Sequence, residues 1–380
     1  MLWIRRIAAL TVGSDAFTLV VLAKTRKRYL VGAKTRFGFH VVAFTPLKNT
    51  HRKLWRRTLQ IIGTGNHKGG TGKTTTAIHL AAALGERGRK VLLIDLDGNL
   101  GLTKSFDVPT VVQGTYHVLM GDQDIEDLIL TPETEQERAK HPGEPIDLPK
   151  NVHLIPGNRR LENFDEDHAG SKGKYIAGFD TLTGPLKRLE ESGLYDYVIL
   201  DTAPAAGTLT IAAYKNADWF ILATTAESLA VEALERSLDD IIEAQDVNSK
   251  LEVLGVHMCQ VDLRKKLEQA YVEQVRQSLL DEDGEDGGFG LFDAIVPIRA
   301  VIGRASALKV SLFDYDPEPA EVKMVNELRG IYRTLAEEVE ERIAASDAAA
   351  DVVVPAERRP LTEPEKAGPV AEKQEGVAHG

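Results

Sequence analysis

Cysteine is nearly absent from this sequence. Cys259 is the only one among its 380 residues. A single thiol excludes a disulfide framework, a zinc site built from several cysteines, and any cluster held by several thiolates of this chain. Long apolar runs are lacking too, and none approaches the ~20 residues that cross a bilayer. With 43% hydrophobic and 27% charged residues, the composition is typical of a globular protein with a sizeable core.

Acidic residues are almost missing from the first 60 positions, where 13 Lys and Arg face one acid, Asp15, giving +12. The other 320 residues hold 33 Lys and Arg against 56 Asp and Glu, giving −23. A basic segment of this kind can bind nucleic acid or anionic lipid through its charge. Because sustained periodicity starts only near residue 59, we predict that 1–57 form a poorly ordered basic extension. We predict one folded domain at 58–346, and a disordered tail at 347–380, which has four prolines and no aromatic residue.

From residue 59 onward, short apolar runs alternate with amphipathic helical patterns. We predict strands at 59–63, 90–94, 152–156, 197–201, 219–223, 253–258 and 294–297. The clearest helical patterns cover 74–87, 228–244, 264–280 and 321–343. Buried strands that alternate with helices predict an α/β fold, with a doubly wound, mainly parallel sheet and helices on both faces.

The glycine-rich segment KGGTGKT, at 68–74, follows a predicted strand and opens a predicted helix. Glycines let successive backbone N–H groups point at phosphate oxygens, and the helix start adds the positive end of its dipole. In such a loop Lys73 reaches the β- and γ-phosphates of a nucleotide, and the Thr74 hydroxyl binds Mg²⁺. The predicted nucleotide contacts of this loop are Lys68, Gly69, Gly70, Thr71, Gly72, Lys73, Thr74 and Thr75.

The loop departs from the usual pattern GxxxxGK[ST], because His67 stands where that pattern has its first glycine. Its form is KGGxGK[ST], with a second lysine, Lys68, near the start. This form, within IIGTGNHKGGTGKTTTAIHLAAA at 61–83, resembles the deviant Walker A motif of the ParA/MinD family of P-loop ATPases. The resemblance implies ATP and Mg²⁺ as cofactors and an ATP-dependent homodimer that encloses two nucleotides. It also implies that Lys68 reaches the nucleotide of the other subunit, where a second cation stabilises phosphoryl transfer.

Two further segments resemble the switches of that family, and both are apolar strands that end in carboxylates. In VLLIDLD at 91–97, Asp97 matches the aspartate that positions the attacking water, and Asp95 is expected close to Mg²⁺. In YDYVILDTAP at 195–204, Asp201 matches the acid that serves the metal. The first segment departs from many relatives, which have Pro-Gln after the second aspartate where this chain has Gly98 and Asn99.

The segment AIVPIR at 294–299 resembles the last strand of the family and the loop that borders the base. The resemblance therefore implies nucleotide contacts for Pro297 and Arg299. It also implies a catalytic set of Lys68, Lys73 and Asp97, with Thr74, Asp95 and Asp201 around the metal.

The sequence excludes two branches of the family. An iron protein donates two cysteines per subunit to a shared cluster, which Cys259 alone cannot do. A MinD-type protein ends in a basic amphipathic membrane helix, whereas the last helical pattern here, AEEVEER at 336–342, is acidic, so we expect no membrane partner. The remaining ParA branch consists of partition ATPases that bind DNA without sequence preference and answer to a ParB-type centromere-binding protein. The expected location is the cytoplasm, on the nucleoid.

A DNA surface is predicted from basic residues that could neutralise phosphates. They are Arg264, Lys265, Lys266 and Arg304. Two alternatives stay open on the sequence: an ATPase that uses the same cycle to position a protein cargo or regulatory complex, and an ATP-dependent metabolic enzyme of the same superfamily. The sequence does not distinguish a plasmid from a chromosome as the cargo.

Overall fold

The computed structural model describes residues 19–25, 28–35, 38–46, 59–131, 147–165, 182–204, 207–228, 230–279 and 289–351. Within 19–46 and 349–351 it describes the backbone alone. The strands are β1 (Leu19–Thr25), β2 (Arg28–Thr35), β3 (Gly38–Pro46), β4 (Gln60–Gly65), β5 (Val91–Leu96), β6 (Val152–Ile155), β7 (Tyr197–Thr202), β8 (Trp219–Thr225) and β9 (Glu252–Cys259). The α-helices are α1 (Lys73–Glu86), α2 (Gly101–Ser105), α3 (Thr115–Met120), α4 (Thr183–Ser192), α5 (Thr208–Asn216), α6 (Ala230–Ala244), α7 (Lys266–Leu279), α8 (Ala300–Ala307) and α9 (Val322–Asp351). Short 3₁₀ helices cover Ile125–Leu128 and Arg159–Leu161.

Six strands form one parallel sheet in the order β6-β5-β7-β4-β8-β9. Successive residues of each strand enter opposite faces, and both faces are buried, which explains the continuous apolar runs in the sequence. One core contains Leu92, Ile94, Val198, Leu200, Phe220 and Leu222, whereas the other contains Val91, Leu93, Tyr197, Ile199, Trp219 and Ile221. The predicted α/β fold with a doubly wound parallel sheet is therefore confirmed.

Helix α1 lies at the centre of the second core, where it packs on strands β5 and β7 and on the C-terminal helix α9. Arginines near the end of α1 fasten the two helices at the surface, because Arg87 bonds both Glu337 and Glu340 of α9 and Arg89 bonds Glu340 as well. The helix that begins at the glycine-rich loop is thus fixed along its whole length. Among the described residues, none of the helices has the length and hydropathy needed to cross a membrane.

The predicted strand at 294–297 is wrong. Within the described part of the chain this segment forms only a single parallel bridge, between Pro297 and Val261, and it belongs to no strand of the sheet. Its apolar residues are nonetheless buried, with Ala294 and Val296 both in the second core. Val296 exchanges hydrogen bonds with Met258 and Val261 at the end of β9, but Pro297 has no N–H to continue the ladder.

The structure also adds elements at both ends of the predicted domain. Strands β1, β2 and β3 form a three-stranded antiparallel sheet inside 1–57, where the sequence analysis predicted poor order. Their apolar and β-branched residues favour strands, but they show no sustained periodicity, which was the basis of the prediction. Helix α9 continues to Asp351, five residues beyond the predicted boundary at 346. The rest of the predicted extension and tail lies outside the described residues, so the domain boundaries stay predictions.

Candidate functional site

The glycine-rich loop connects β4 to α1 and has the conformation of a cradle. Gly70 and Gly72 adopt φ values of 75° and 92°, in the left-handed region that glycine occupies without strain. A Cβ on Gly69 or Gly70 would meet nothing within 4 Å, so the backbone of the loop faces open space. A Cβ on Gly72 would lie 2.9 Å from Cys259 Sγ. Glycine at 72 is therefore required both for the turn and for the close approach to the end of β9.

Lys73 is the first residue of α1, and its side chain is buried against the loop, with 6% exposure. Its Nζ donates to the carbonyl oxygens of Lys68 at 3.1 Å and Asn66 at 3.4 Å. Burial lowers the pKa of Lys73, whereas the negative charges of Asp201 and Asp97 raise it. The ammonium group thus lies inside the curl of the loop, close to both carboxylates, as a phosphate-binding lysine must.

Four contacts that involve side chains hold the loop to the elements on its flanks. His67 Nε2 lies 2.5 Å from Asp240 Oδ2 on α6, and the His67 backbone N–H donates to Ser237 of the same helix. Gln260, just after β9, donates from Nε2 to the Gly70 carbonyl at 3.1 Å. The Lys68 ammonium pairs with Glu227, which lies between β8 and α6. In the single chain, the lysine predicted to act on another subunit is therefore engaged with its own subunit.

Strands β5 and β7 bring two predicted metal-site carboxylates side by side, because Asp95 and Asp201 are register partners. Asp201 Oδ2 accepts a hydrogen bond from Thr74 Oγ1 at 2.7 Å. Burial, together with the Asp95 charge, raises the pKa of Asp201 to about 8. A fully buried carboxylate beside like charge favours a cation, and the loop hydroxyl next to it is a suitable second ligand.

Magnesium fits this arrangement. Among the described residues, no group of three or more His, Cys, Asp and Glu side chains is placed to hold a metal. Mg²⁺ does not need such a group, since it commonly binds one or two carboxylates and takes its other ligands from phosphates and water. Thr74 and Asp201 are the side chains that would hold it here.

Asp95 is fully buried, and residues that follow it in the chain already occupy its oxygens. Oδ2 accepts from Thr103 N at 2.9 Å and Thr103 Oγ1 at 2.5 Å, and Oδ1 accepts from Asp97 N at 3.1 Å. Burial raises the pKa of Asp95 to about 6, although the Thr103 hydrogen bonds lower it. Thr103 Oγ1 in turn accepts from Gly157 N at 2.7 Å. Asp95 thus fastens α2 and the loop after β6 to the end of β5, and its predicted contact with Mg²⁺ stays a prediction.

Asp97 comes two residues after Asp95, directly after β5, and begins a tight turn at 97–100, which we name the Asp97 turn. The residue is 8% exposed, and its backbone carbonyl accepts from Leu100 N at 2.8 Å. Asn99 donates to Asp97 Oδ1 from its backbone N at 2.8 Å and from its side-chain Nδ2 at 3.0 Å. The turn therefore presents Asp97 at the same edge of the sheet as Lys73 and Asp201.

A cavity of about 160 Å³ opens beside the loop. The predicted residues Gly72, Thr75, Pro297 and Arg299 all line it, so the structure brings the phosphate loop and the predicted base loop together. Tyr332 of α9 lines it as well, which the sequence analysis missed. Three other neighbours of the site were also missed: Thr103, Glu227 and Gln260. No sequence pattern marks these three residues. Gln260 has a left-handed φ of 56°, but this is a feature of the structure that the sequence does not reveal.

The basic residues predicted to bind DNA are largely paired with acids. Arg264 is 87% exposed and bonds both oxygens of Asp262, at 2.8 and 2.9 Å. Lys265 Nζ lies 2.8 Å from Glu268 Oε1 and 3.9 Å from Asp262 Oδ2. The predicted set also includes Arg304, which pairs with Glu321, and Lys266, which is exposed. The local excess of positive charge is thus smaller than the sequence indicated.

Comparison with known proteins agrees with this geometry. Residues 59–253, just over half of the chain, match the AAA domain family. The sporulation initiation inhibitor protein Soj of Bacillus subtilis (strain 168) is 26% identical over 261 residues, which cover 68% of this chain and 92% of Soj. The chromosome-partitioning ATPase Soj of Thermus thermophilus is 29% identical over 289 residues, which cover 76% of this chain and 98% of that protein.

Solved structures are similar in fold at lower identity. An ATP complex of an McdA variant from Cyanothece has a TM-score of 0.56 and 21% identity, covering 76% of this chain and 97% of the McdA chain. The septum site-determining protein MinD of Pyrococcus horikoshii, solved with Mg-ADP, has a TM-score of 0.53 and 24% identity, covering 76% of this chain and 98% of MinD. On the family match, these sequence relatives and the shared fold, the chain belongs to the ParA/MinD family of P-loop ATPases.

Proposed function

We propose that this protein is a Mg²⁺-dependent ATP hydrolase that dimerises on binding ATP, binds DNA without sequence preference and drives the partition of plasmid or chromosomal DNA. One observation carries the proposal. Lys73, Thr74, Asp97 and Asp201 lie together around the glycine-rich loop, at the carboxyl edge of the sheet. This is the edge where open parallel sheets bind ligands.

Each side chain has a distinct task in hydrolysis. ATP, when bound, supplies the phosphoryl group, and Mg²⁺ supplies the positive charge that offsets the charge of the buried carboxylates. Lys73 binds phosphate oxygens from inside the loop, and Thr74 and Asp201 hold the cation. Asp97 accepts a hydrogen bond from the attacking water and orients it. Positioning and electrostatic stabilisation of this kind account for most of the catalysis in phosphoryl transfer.

Dimerisation gives Lys68 its role. The ammonium leaves Glu227 and reaches the nucleotide of the other subunit, where it stabilises the charge that develops on the transferred group. The pair with Glu227 is partly exposed, at 32% for Lys68 and 59% for Glu227, so it is inexpensive to break.

DNA partition is proposed from the sequence relatives, two of which are called a chromosome partitioning protein and a chromosome-partitioning ATPase. The dimer would bind the nucleoid in the cytoplasm through Arg264, Lys265, Lys266 and Arg304, doubled by the second subunit. A ParB-type centromere-binding protein would be the partner that stimulates hydrolysis.

A second candidate function is the positioning of a protein cargo by the same ATP cycle. It is favoured by the ion pairs of Arg264 and Lys265 with Asp262 and Glu268, which reduce the charge available for phosphates. The two candidates share the ATPase site and differ in whether the ATP dimer binds DNA.

The first experiment tests the two lysines. Lys73→Ala should abolish ATP binding, whereas Lys68→Ala should keep binding but lose ATP-dependent dimerisation and hydrolysis. Sedimentation with and without ATP measures the first two properties, and phosphate release measures the third. A Lys68→Ala protein that dimerises and hydrolyses ATP normally would refute the proposed action across the dimer.

The second experiment separates the two candidate functions. Asp97→Ala should bind ATP, hydrolyse it poorly and accumulate as a dimer that retains duplex DNA, with an affinity that falls steeply with salt. Adding Arg264→Glu should remove DNA binding and leave the dimer intact. If both proteins bind DNA equally, the DNA surface lies elsewhere. If neither dimer binds DNA at low salt, the cargo function is the better proposal.

The domain boundaries are also proposed. A shortened chain that begins at Arg57 should hydrolyse ATP and melt like the full chain, because every residue of the site lies after Leu59. A large loss of turnover or melting temperature would show that the basic segment is part of the folded domain.

A further inference from the structure

We propose that Asn99 is a positioning residue that holds the Asp97 carboxylate so that Oδ2 is the oxygen that receives the attacking water. The inference rests on the proposed function, in which Asp97 orients that water. Asp97 Oδ1 then fixes the orientation of the carboxylate, and Oδ2 receives the water. Asn99 affects catalysis only through its bonds to Asp97.

The hydrogen bonds of Asp97 are strongly unequal. Oδ1 accepts both donors of Asn99, the backbone N at 2.8 Å and Nδ2 at 3.0 Å. Within the described part of the chain, no hydrogen bond reaches Oδ2. Two donors on one oxygen fix the carboxylate plane and leave the lone pairs of the other oxygen available, because an ionised carboxylate can accept about four hydrogen bonds.

The Asp97 turn needs such a restraint. Gly98 follows Asp97 directly, and glycine has the greatest backbone freedom of any residue. Gly98 is nevertheless required, since a Cβ there would lie 2.9 Å from the Cα of Glu162. At the other end of the turn Leu100 has a φ of 56°, which a leucine adopts only when its surroundings impose it. The hydrogen bond from Leu100 N to the Asp97 carbonyl closes the turn, and the two Asn99 bonds hold the Asp97 carboxylate within it.

Nearby charge explains what Asn99 prevents. Lys73 lies close enough to Asp97 for the carboxylate charge to act on its ammonium group. An Asp97 side chain that lacked the Nδ2 donor of Asn99 would be drawn toward Lys73, and the pair would compete with phosphate for the lysine. Asn99 thus holds the Asp97 carboxylate within the Asp97 turn and away from the Lys73 ammonium group, which binds phosphate.

Steady-state kinetics tests the proposal. We expect Asn99→Ala to lower kcat about tenfold, the effect of one lost hydrogen bond to a charged group, while KM for ATP changes less than twofold. Asn99→Ser, which keeps a short side-chain donor, should recover at least a third of the wild-type kcat. Asn216→Ala is the matched control, because it removes an asparagine on α5 whose side chain makes two hydrogen bonds, whereas the Asn99 side chain makes the one from Nδ2. Its kcat should equal that of the wild type.

Two outcomes would overturn the proposal: an unchanged kcat in Asn99→Ala, or a joint change of kcat, KM and melting temperature that serine does not rescue. A crystal structure of Asn99→Ala gives a result that is independent of turnover. We expect the Asp97 side chain to be rotated there, and an unmoved carboxylate refutes the positioning role. If Asp97→Ala itself keeps the wild-type kcat, the proposed role of Asp97 fails, while the crystal structure still decides what Asn99 does.

Discussion

Acid should weaken this protein through its buried histidines, His257 of β9 and His79, which lies on α1 after the phosphate loop. Its ring is buried and stacks on Tyr332 of α9, with centroids 4.7 Å apart. Nδ1 donates to the Thr75 carbonyl at 2.7 Å, whereas Nε2 has no hydrogen-bond partner among the described residues. Burial lowers the pKa of His79 from 6.5 to about 4. The native state therefore holds this imidazole neutral at a pH where the unfolded chain protonates it.

The sign and size of the effect follow from that difference. Above pH 6.5 neither state binds the proton, and the contribution to stability is complete. As the pH falls from 6.5 toward 4, only the unfolded chain binds it, so the free energy of unfolding decreases. For a pKa that changes from 6.5 to about 4, the loss between pH 7.5 and pH 5.0 is about 2 kcal/mol.

Two carboxylates act in the opposite direction. Burial raises the pKa of Asp95 to about 6 and that of Asp201 to about 8, well above the 3.8 of an ordinary aspartate. The native state holds these protons more tightly than the unfolded chain, so their contribution is present at low pH and is lost as the pH rises through the folded values. The total pH dependence therefore mixes both signs, and a variant is needed to isolate the histidine.

The assay is urea unfolding of the wild type and His79→Gln at pH 7.5 and pH 5.0, both without nucleotide. Glutamine keeps a donor for the Thr75 carbonyl but does not titrate. The variant should be less stable at pH 7.5, and its deficit should shrink by about 2 kcal/mol at pH 5.0. A deficit that is the same at both pH values would refute the reasoning, because His79 would then have an ordinary pKa in the folded protein.

Three other predictions concern the loop, the sheet and the last helix. Glu227→Gln should free Lys68 and tighten the proposed ATP dimer by up to about fivefold per chain, because exposed ion pairs are worth at most ~1 kcal/mol; sedimentation equilibrium with ATP would show this, and a weaker dimer would count against it. Gly63→Ala should cost about 3 kcal/mol in thermal unfolding, because its Cβ would lie 2.1 Å from the buried Phe220 ring; a loss below ~1 kcal/mol would mean that the sheet yields easily. Arg342→Met should cost about 3 kcal/mol in urea unfolding, because three main-chain carbonyls lose their donor; equal stability would show that they find other partners.

The features that the sequence predicts well are local in the chain. The phosphate loop, α1 and the strand that delivers Asp97 each consist of consecutive residues whose spacing is dictated by backbone geometry. Parallel strands that are buried on both faces appear as apolar runs, and their carboxyl ends meet at one edge of the sheet. Those two rules are enough to bring Asp97 and Asp201 to the loop before any coordinates are known.

The features that it does not predict depend on contacts between distant residues. Lys68 and Glu227 are 159 positions apart, and Gln260 and Gly70 are 190 positions apart. Nothing in the spacing of these residues indicates a contact, because their separation is set by how far the intervening helices carry the chain. One ion pair of the predicted DNA surface was missed for the same reason: Arg304 is predicted to bind DNA, and the acid that it pairs with, Glu321, is 17 positions later.

The contacts of the loop indicate which neighbouring segment would change conformation when the proposed ATP dimer forms. His67 and Lys68 are consecutive, yet they contact different segments. His67 contacts Asp240 within α6, whereas Lys68 contacts Glu227 in the segment that precedes α6. His67 and Asp240 are 28% and 26% exposed, whereas Glu227 is 59% exposed, so the histidine contact is better shielded from water. If Lys68 leaves Glu227 on dimerisation, the histidine contact keeps α6 in place. We then expect the change to lie in the segment between β8 and α6, where hydrogen exchange should differ between the proposed ATP dimer and the free chain.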